Sequence, residues 1–231
     1  MKKLALALSI LVLMCGCGSR PPSSLIVVSV VPSLPPDIDQ GQTLQFKASL
    51  VSNNPSVSLG GVTWTATGPG CAGAACGTFT NITSTSATYV APASVSATLN
   101  VTVTATSTAQ PLQTASSTFN VTPPPSITTT DLPAATPTYI YHTAFQASGG
   151  VQPLNWTVAS GTLPAGMSLN SAGVLFGTPT TGSTSTFTIK VTDSSGSPSG
   201  PLSTQQTFSL TVVGILSVNA GVLPSGTVGT A

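Results

Sequence analysis

The chain predicts an all-β protein, two β-sandwiches in tandem behind an N-terminal export segment. Three observations carry that prediction. Apolar residues make up 40% of the 231, enough to bury cores. They alternate with Thr and Ser at period two, the spacing of a half-buried strand. Gly 22 and Pro 20 break the alternation into short runs at intervals of roughly ten residues, and after the first residues no stretch keeps a helical period.

Lys2 and Lys3, the apolar run Leu4 to Met14 and the small residues around Gly16 read as a secretory signal, residues 1–16. The run is too short to cross a bilayer, which needs about 20 apolar residues. Gly16-Cys17 resembles the lipobox of bacterial lipoproteins, in which the cysteine is acylated and becomes the new N-terminus. That resemblance makes Cys17 the candidate lipidation site and the membrane a partner. Met14 stands where the lipobox usually has Leu. The anchored part would then face the periplasm or the cell exterior. Residues 17–24, with Pro21 and Pro22 among serines, read as an extended tether.

A first sandwich is expected over 25–122. Its strands are predicted at Leu25 to Val31, Thr43 to Leu50, Gly61 to Thr67, Ser86 to Ala91, Ala97 to Ala105 and Thr114 to Val121. The alternation is clearest where Leu99, Val101 and Val103 interleave with Asn100, Thr102 and Thr104. Pro123, Pro124 and Pro125 cannot donate to a ladder, so 123–125 reads as a semi-rigid linker. A second sandwich is expected over 126–213, with strands at Thr143 to Ala147, Leu154 to Val158, Gly173 to Phe176, Thr184 to Thr192 and Thr204 to Val213. Leu223-Pro224 repeats Leu132-Pro133 one small domain further on, so 214–231 reads as the truncated start of another copy.

Charge excludes some functions. Five Lys or Arg, four acids, all Asp, and a net charge of +1 leave no basic face for nucleic acid. Catalysis needs a nucleophile or an acid and base within reach of one another. Here one histidine, His142, sits beside Tyr141 at a position expected to face solvent. Asp37 and Asp39 lie between two predicted strands, where turn formation is the expected role. The serines lack a nucleophile-elbow context. No catalytic residue is assigned.

Cys71 and Cys76, in GPGCAGAACG, are expected to form a disulfide closing a tight loop in an oxidising compartment. The rival arrangement, half of a zinc site, would find only His142 as a further soft ligand where four ligands are wanted. Trp64 and Trp156 are expected in the cores; exposed, Trp156 would offer a stacking surface for sugar. Asn81, Asn100, Asn120 and Asn155 head Asn-x-Thr sequons of the kind a Thr-rich chain produces by chance.

The second unit resembles the He_PIG immunoglobulin-like domain found in tandem on bacterial surface proteins. The residues that carry the likeness are Tyr141, Ser148 to Gly150, Pro153, Trp156, SGTLPAGMSLN from Ser160, GVLFGTP from Gly173, and Phe187 to Asp193 ending in VTD. Phe176 departs from the family's usual small residue. The first unit is similar, through Gly41 to Phe46, Val62-Thr63-Trp64 and Tyr89 to Pro92, to bacterial Ig-like domains of invasin type. These resemblances imply two immunoglobulin-like sandwiches in a non-enzymatic cell-surface lipoprotein, a spacer or adhesion stalk for an unknown protein or polysaccharide. Two alternatives stand beside this: a noncatalytic, carbohydrate-binding module of a larger secreted hydrolase, and calcium-dependent adhesion. The He_PIG fold is similar to that of cadherins, whose calcium ions sit at domain junctions, and Asp131 and Asp193 are the only acids of the second unit, which makes them weak calcium candidates.

Overall fold

The computed structural model describes residues 24–214. The signal segment, Cys17, the tether before Ser24 and the repeat restart from residue 215 lie outside them. In the first unit the alternating runs become two facing sheets. One holds β1 (Ile26–Val31), β3 (Thr43–Ser52), β5 (Thr78–Thr80) and β6 (Ser86–Val90), in the order β1-β3-β6-β5 and antiparallel throughout. The other holds β2 (Ile38–Asp39), β4 (Val62–Thr67), β7 (Leu99–Ser107) and β8 (Thr114–Thr122), in the order β2-β8-β7-β4. Here β2 runs parallel to β8 while the remaining pairs are antiparallel.

Period two decides which side chains go inside. On β7, Val101, Val103 and Ala105 are wholly buried, while Thr102 and Thr104 face outward and bond Thr118 and Ser116 across the strand pair at 3.1 and 2.9 Å. The core gathers Phe46, Trp64, Tyr89 and Phe119. Tyr89 meets Phe119 edge-on at 5.1 Å and Phe46 stacks on Phe119 at 6.0 Å. Each such ring removed from water contributes about 1.5–3 kcal/mol.

The second unit repeats the plan with shorter elements. β9 (Ser126–Ile127) pairs with β11 (Ala147–Ser148). β10 (Tyr141–Ala144), β13 (Met167–Leu169) and β14 (Val174–Gly177) form a sheet in the order β10-β14-β13. β12 (Asn155–Gly161), β15 (Ser183–Thr192) and β16 (Ser203–Val212) form another in the order β12-β15-β16. Phe145, Trp156, Phe187, Ile189, Leu210 and Phe208 fill the space between. Phe145 stacks on Trp156 at 5.8 Å and leans on Phe208 at 4.9 Å.

The long predicted strands all exist, with ends moved by a residue or two. Others differ for physical reasons. The run predicted over 143–147 is two strands, because Phe145 turns into the core and its N–H bonds Gly173 O instead of continuing a ladder. β2, β5, β9 and β13 lie beyond the sequence reading, since two or three residues are too few to display a period. β12 carries a bulge between Val158 and Ser160; ahead of it Trp156 is buried while Val158 is 36% exposed.

Candidate functional site

The Cys71–Cys76 disulfide is formed, with Cα atoms 5.2 Å apart. It closes a loop that contains one 3₁₀ turn, Gly73–Cys76, and Cys76 is buried. The Tyr89 hydroxyl donates to Cys76 O at 2.7 Å, and burial pushes that phenol above its ordinary range. Gly77, at φ 97°, lies against the Tyr89 ring so closely that a Cβ would come within 2.4 Å of it. The loop is thus a lid on the core.

His142 is exposed on β10, beside Phe176 on β14. The weak calcium pair is not brought together. Asp131 is exposed on a segment whose neighbours Thr129 and Ala135 are held against Gln206 and Thr211, along the length of β16. Asp193 is buried at the opposite end of that strand, where Leu202 N bonds its Oδ1 at 2.9 Å. The sequon at Asn120 is engaged within the protein: its backbone and side-chain N–H groups donate to Asp37, and its Oδ1 accepts from Asn100 at 3.1 Å.

Asp39 opens the expected turn, its carbonyl accepting from Gln42 N at 3.2 Å, and has a larger role besides. Asp39 sits in β2, wholly buried, because the parallel pairing of β2 with Thr122 of β8 carries it under the second unit. The sandwiches are not merely strung on the proline run but docked through polar side chains. Gln42 is the hub: its Oε1 accepts from Asp39 N at 2.9 Å and from Ser195 Oγ, and its Nε2 donates to Gly200 O at 2.9 Å. Gly196 N donates to Asp37 O at 3.2 Å, and Ser197 Oγ to Thr43 O at 3.3 Å. On the other side Gly150 N donates to Pro123 O at 2.7 Å, so the linker is itself held by the second unit. Gly196 faces Pro36 with no room for a side chain; a Cβ would come within 2.2 Å.

At the centre of this junction Asp39 and Asp193 are tied to the same two residues: Asp39 N and Ser195 Oγ both donate to Gln42 Oε1, and Ser195 N donates to Asp193 Oδ1. Asp39 Oδ1 accepts from Thr122 Oγ1 at 2.8 Å, and Asp193 Oδ1 accepts from the N–H groups of Ser195 and Leu202. Neither Oδ2 has a hydrogen-bond partner in the protein. Burial, then the neighbouring Asp193 carboxyl, pushes the Asp39 carboxyl up to about 7, against partial lowering by Thr122 and Ser195. Among the described residues no three His, Cys, Asp or Glu side chains converge.

Two clefts flank the junction. One of about 310 Å³ is lined by Asp37, Asn120, Thr122 and Gly149 to Gln152. The other, about 570 Å³, lies between Gln40, Ser94 to Thr98 and Pro123-Pro124. Both are open to solvent and lined by a mixture of polar and apolar side chains.

Residues 120–213 match the family described as Putative Ig domain. No curated protein matches the chain. Among solved structures, the I67-I69 I-band fragment of titin is similar over 83% of this chain and 66% of its own length, at 15% identity and a TM-score of 0.46. The three N-terminal domains of the bacteriophage RB49 Highly Immunogenic Outer Capsid protein are similar over 82% and 71%, at 10% identity and a TM-score of 0.45. The protocadherin GammaB4 extracellular domain is similar over 81% and 33%, at 17% identity and a TM-score of 0.34. The chain therefore spans about two thirds of the titin fragment and a third of the protocadherin. With its antiparallel sheets, its inward Tyr141 and Trp156 and the sequence match across it, the segment 120–213 is similar to the Putative Ig domain family, and the chain is an all-β protein of immunoglobulin-like sandwiches.

Proposed function

We propose that this protein is a non-catalytic spacer or adhesion stalk of the bacterial cell envelope, anchored by lipid at Cys17. The observation that carries the reading is the direction of the chain through the docked pair. It enters the first sandwich beside Gln110, which bonds Ile26 N and Ser24 O at the end away from the junction. It passes the junction at Thr122 and Pro123, and it leaves along β16, whose ten residues carry it about 30 Å away from Asp193. Entry and exit at opposite ends are what a serial stalk requires. The docked junction keeps the two units from folding back on one another.

The surface suits the role. Thr and Ser ladders such as Thr184–Thr211, Thr186–Ser209 and Thr188–Thr207 satisfy one another across β15 and β16 and hydrate without charge. Acyl chains would supply the anchoring, about 0.8 kcal/mol per buried methylene. The test is the membrane partition of the full chain and of Cys17→Ala. The wild type is expected in the membrane or detergent phase and the variant in the aqueous phase. Equal association of both would remove the anchor from the proposal.

A further inference from the structure

We propose that Asp39 and Asp193 share one proton across the junction, so that the two sandwiches dock rigidly in acid and loosen as the pH rises. The junction leaves two buried carboxyl oxygens, one from each unit, without a hydrogen-bond partner. Both aspartates are buried, at 0% and 4% exposure, both are bonded to the same Gln42–Ser195 pair, and each has one oxygen, Oδ2, that no protein group satisfies. Two bare carboxylates in such a place would repel, and an unpaired buried charge is costly. One proton on Asp39 Oδ2, donated to Asp193 Oδ2, satisfies both orphan atoms at once. Asp193 is the natural acceptor, because its Oδ1 already holds two backbone N–H groups.

A divalent cation fits less well. Calcium takes six to eight oxygens. The gap offers the two Oδ2 atoms, and the nearby Gln42 Oε1, Ser195 Oγ and Thr122 Oγ1 are engaged in hydrogen bonds. From β8 the group facing Asp39 is Thr122, from the loop after β15 they are Asp193 and Ser195, and from its own turn it is Gln42. Asp193 is the one charged group among them; Lys47, Lys190 and His142 do not act on Asp39.

The sign follows from linkage. When the units separate, Asp39 returns to water and to the ordinary value of 3.8, whereas docked it holds its proton up to about 7. The docked state therefore binds the proton more tightly. Docking is fully favoured below about 4, weakens as the pH climbs from about 4 to about 7, and is flat above that.

The test uses the full-length chain carrying Cys17→Ala, with ¹³C-labelled aspartate. One Asp carboxyl carbon is expected to titrate near 7, and the separated population, read from small-angle scattering and from residual dipolar couplings of the two units, is expected to grow at least tenfold between pH 5 and pH 8.5. Asp39→Asn, whose amide donates permanently to Asp193, is expected to stay docked at both pH values. The proposal falls if all four Asp carboxyls titrate in the ordinary range, or if the Asp39→Asn chain keeps the wild-type pH response. It also falls if calcium re-docks the wild type at pH 8.5 and EDTA reverses this, which would make the pair a metal site. Should the Asp39→Asn variant not fold, the wild-type carboxyl titration decides alone. Neither readout depends on membrane anchoring.

Discussion

At the scale of the residue, the tightest constraints lie where backbone meets ring. Gly77 holds φ 97° against the face of Tyr89. A methyl there would be strained by backbone and by collision, so Gly77→Ala is expected to lose about 2 kcal/mol or more in chemical denaturation. Tyr89→Phe keeps the ring and loses the bond to Cys76 O, and about 1 kcal/mol is expected to go with it. The disulfide beside it closes a short loop, so reducing it is expected to cost about 2 kcal/mol on the chain-entropy account. A loss near zero in that titration would show that the loop stays ordered without the bond. The cysteine pair was legible because two thiols five residues apart in an exported chain have few other uses. Tyr89 as the surface beneath them was not, since nothing in the intervening residues marks that contact.

At the scale of the element, β15 and β16 separate two kinds of contribution. Phe187, Ile189 and Val191 point inward and are buried, whereas Thr186 and Thr188 face solvent and pair with Ser209 and Thr207. Phe187→Ala is expected to cost about 3–5 kcal/mol and Thr188→Ala less than about 1, compared by denaturant midpoint at constant slope. Costs of similar size would mean that the strand pair is not oriented as described. These strands were readable because ten residues show five repeats of the period. The two-residue strands β2 and β9 were not, and β2 is the one that positions Asp39. A pairing that short is chosen by the neighbouring strand and not by local preference.

At the scale of the whole molecule, the junction decides whether two sandwiches behave as one body. Gly196 touches Pro36 so closely that Gly196→Leu is expected to pry the units apart while leaving each core intact. The expected result is a larger radius of gyration with the secondary-structure signal unchanged. An unaltered radius would mean that the contact yields and that Gln42 and its partners hold the units without it. The proline run contributes differently from a free spacer, because Pro123 O is bonded by Gly150 N and Pro125 is buried. Interdomain order therefore draws on a few polar bonds between the units, which pH can change.

The amino-acid order alone determined the all-β class and the inward and outward faces of the long strands. It also determined the cysteine pairing, because alternation and close spacing are local properties written within a few residues. Only the tertiary structure decided that Asp39 and Asp193, from opposite halves of the chain, meet out of water, and that Gln42 ties one unit to the other. Such meetings depend on how two completed bodies fit, and no window of sequence contains both partners.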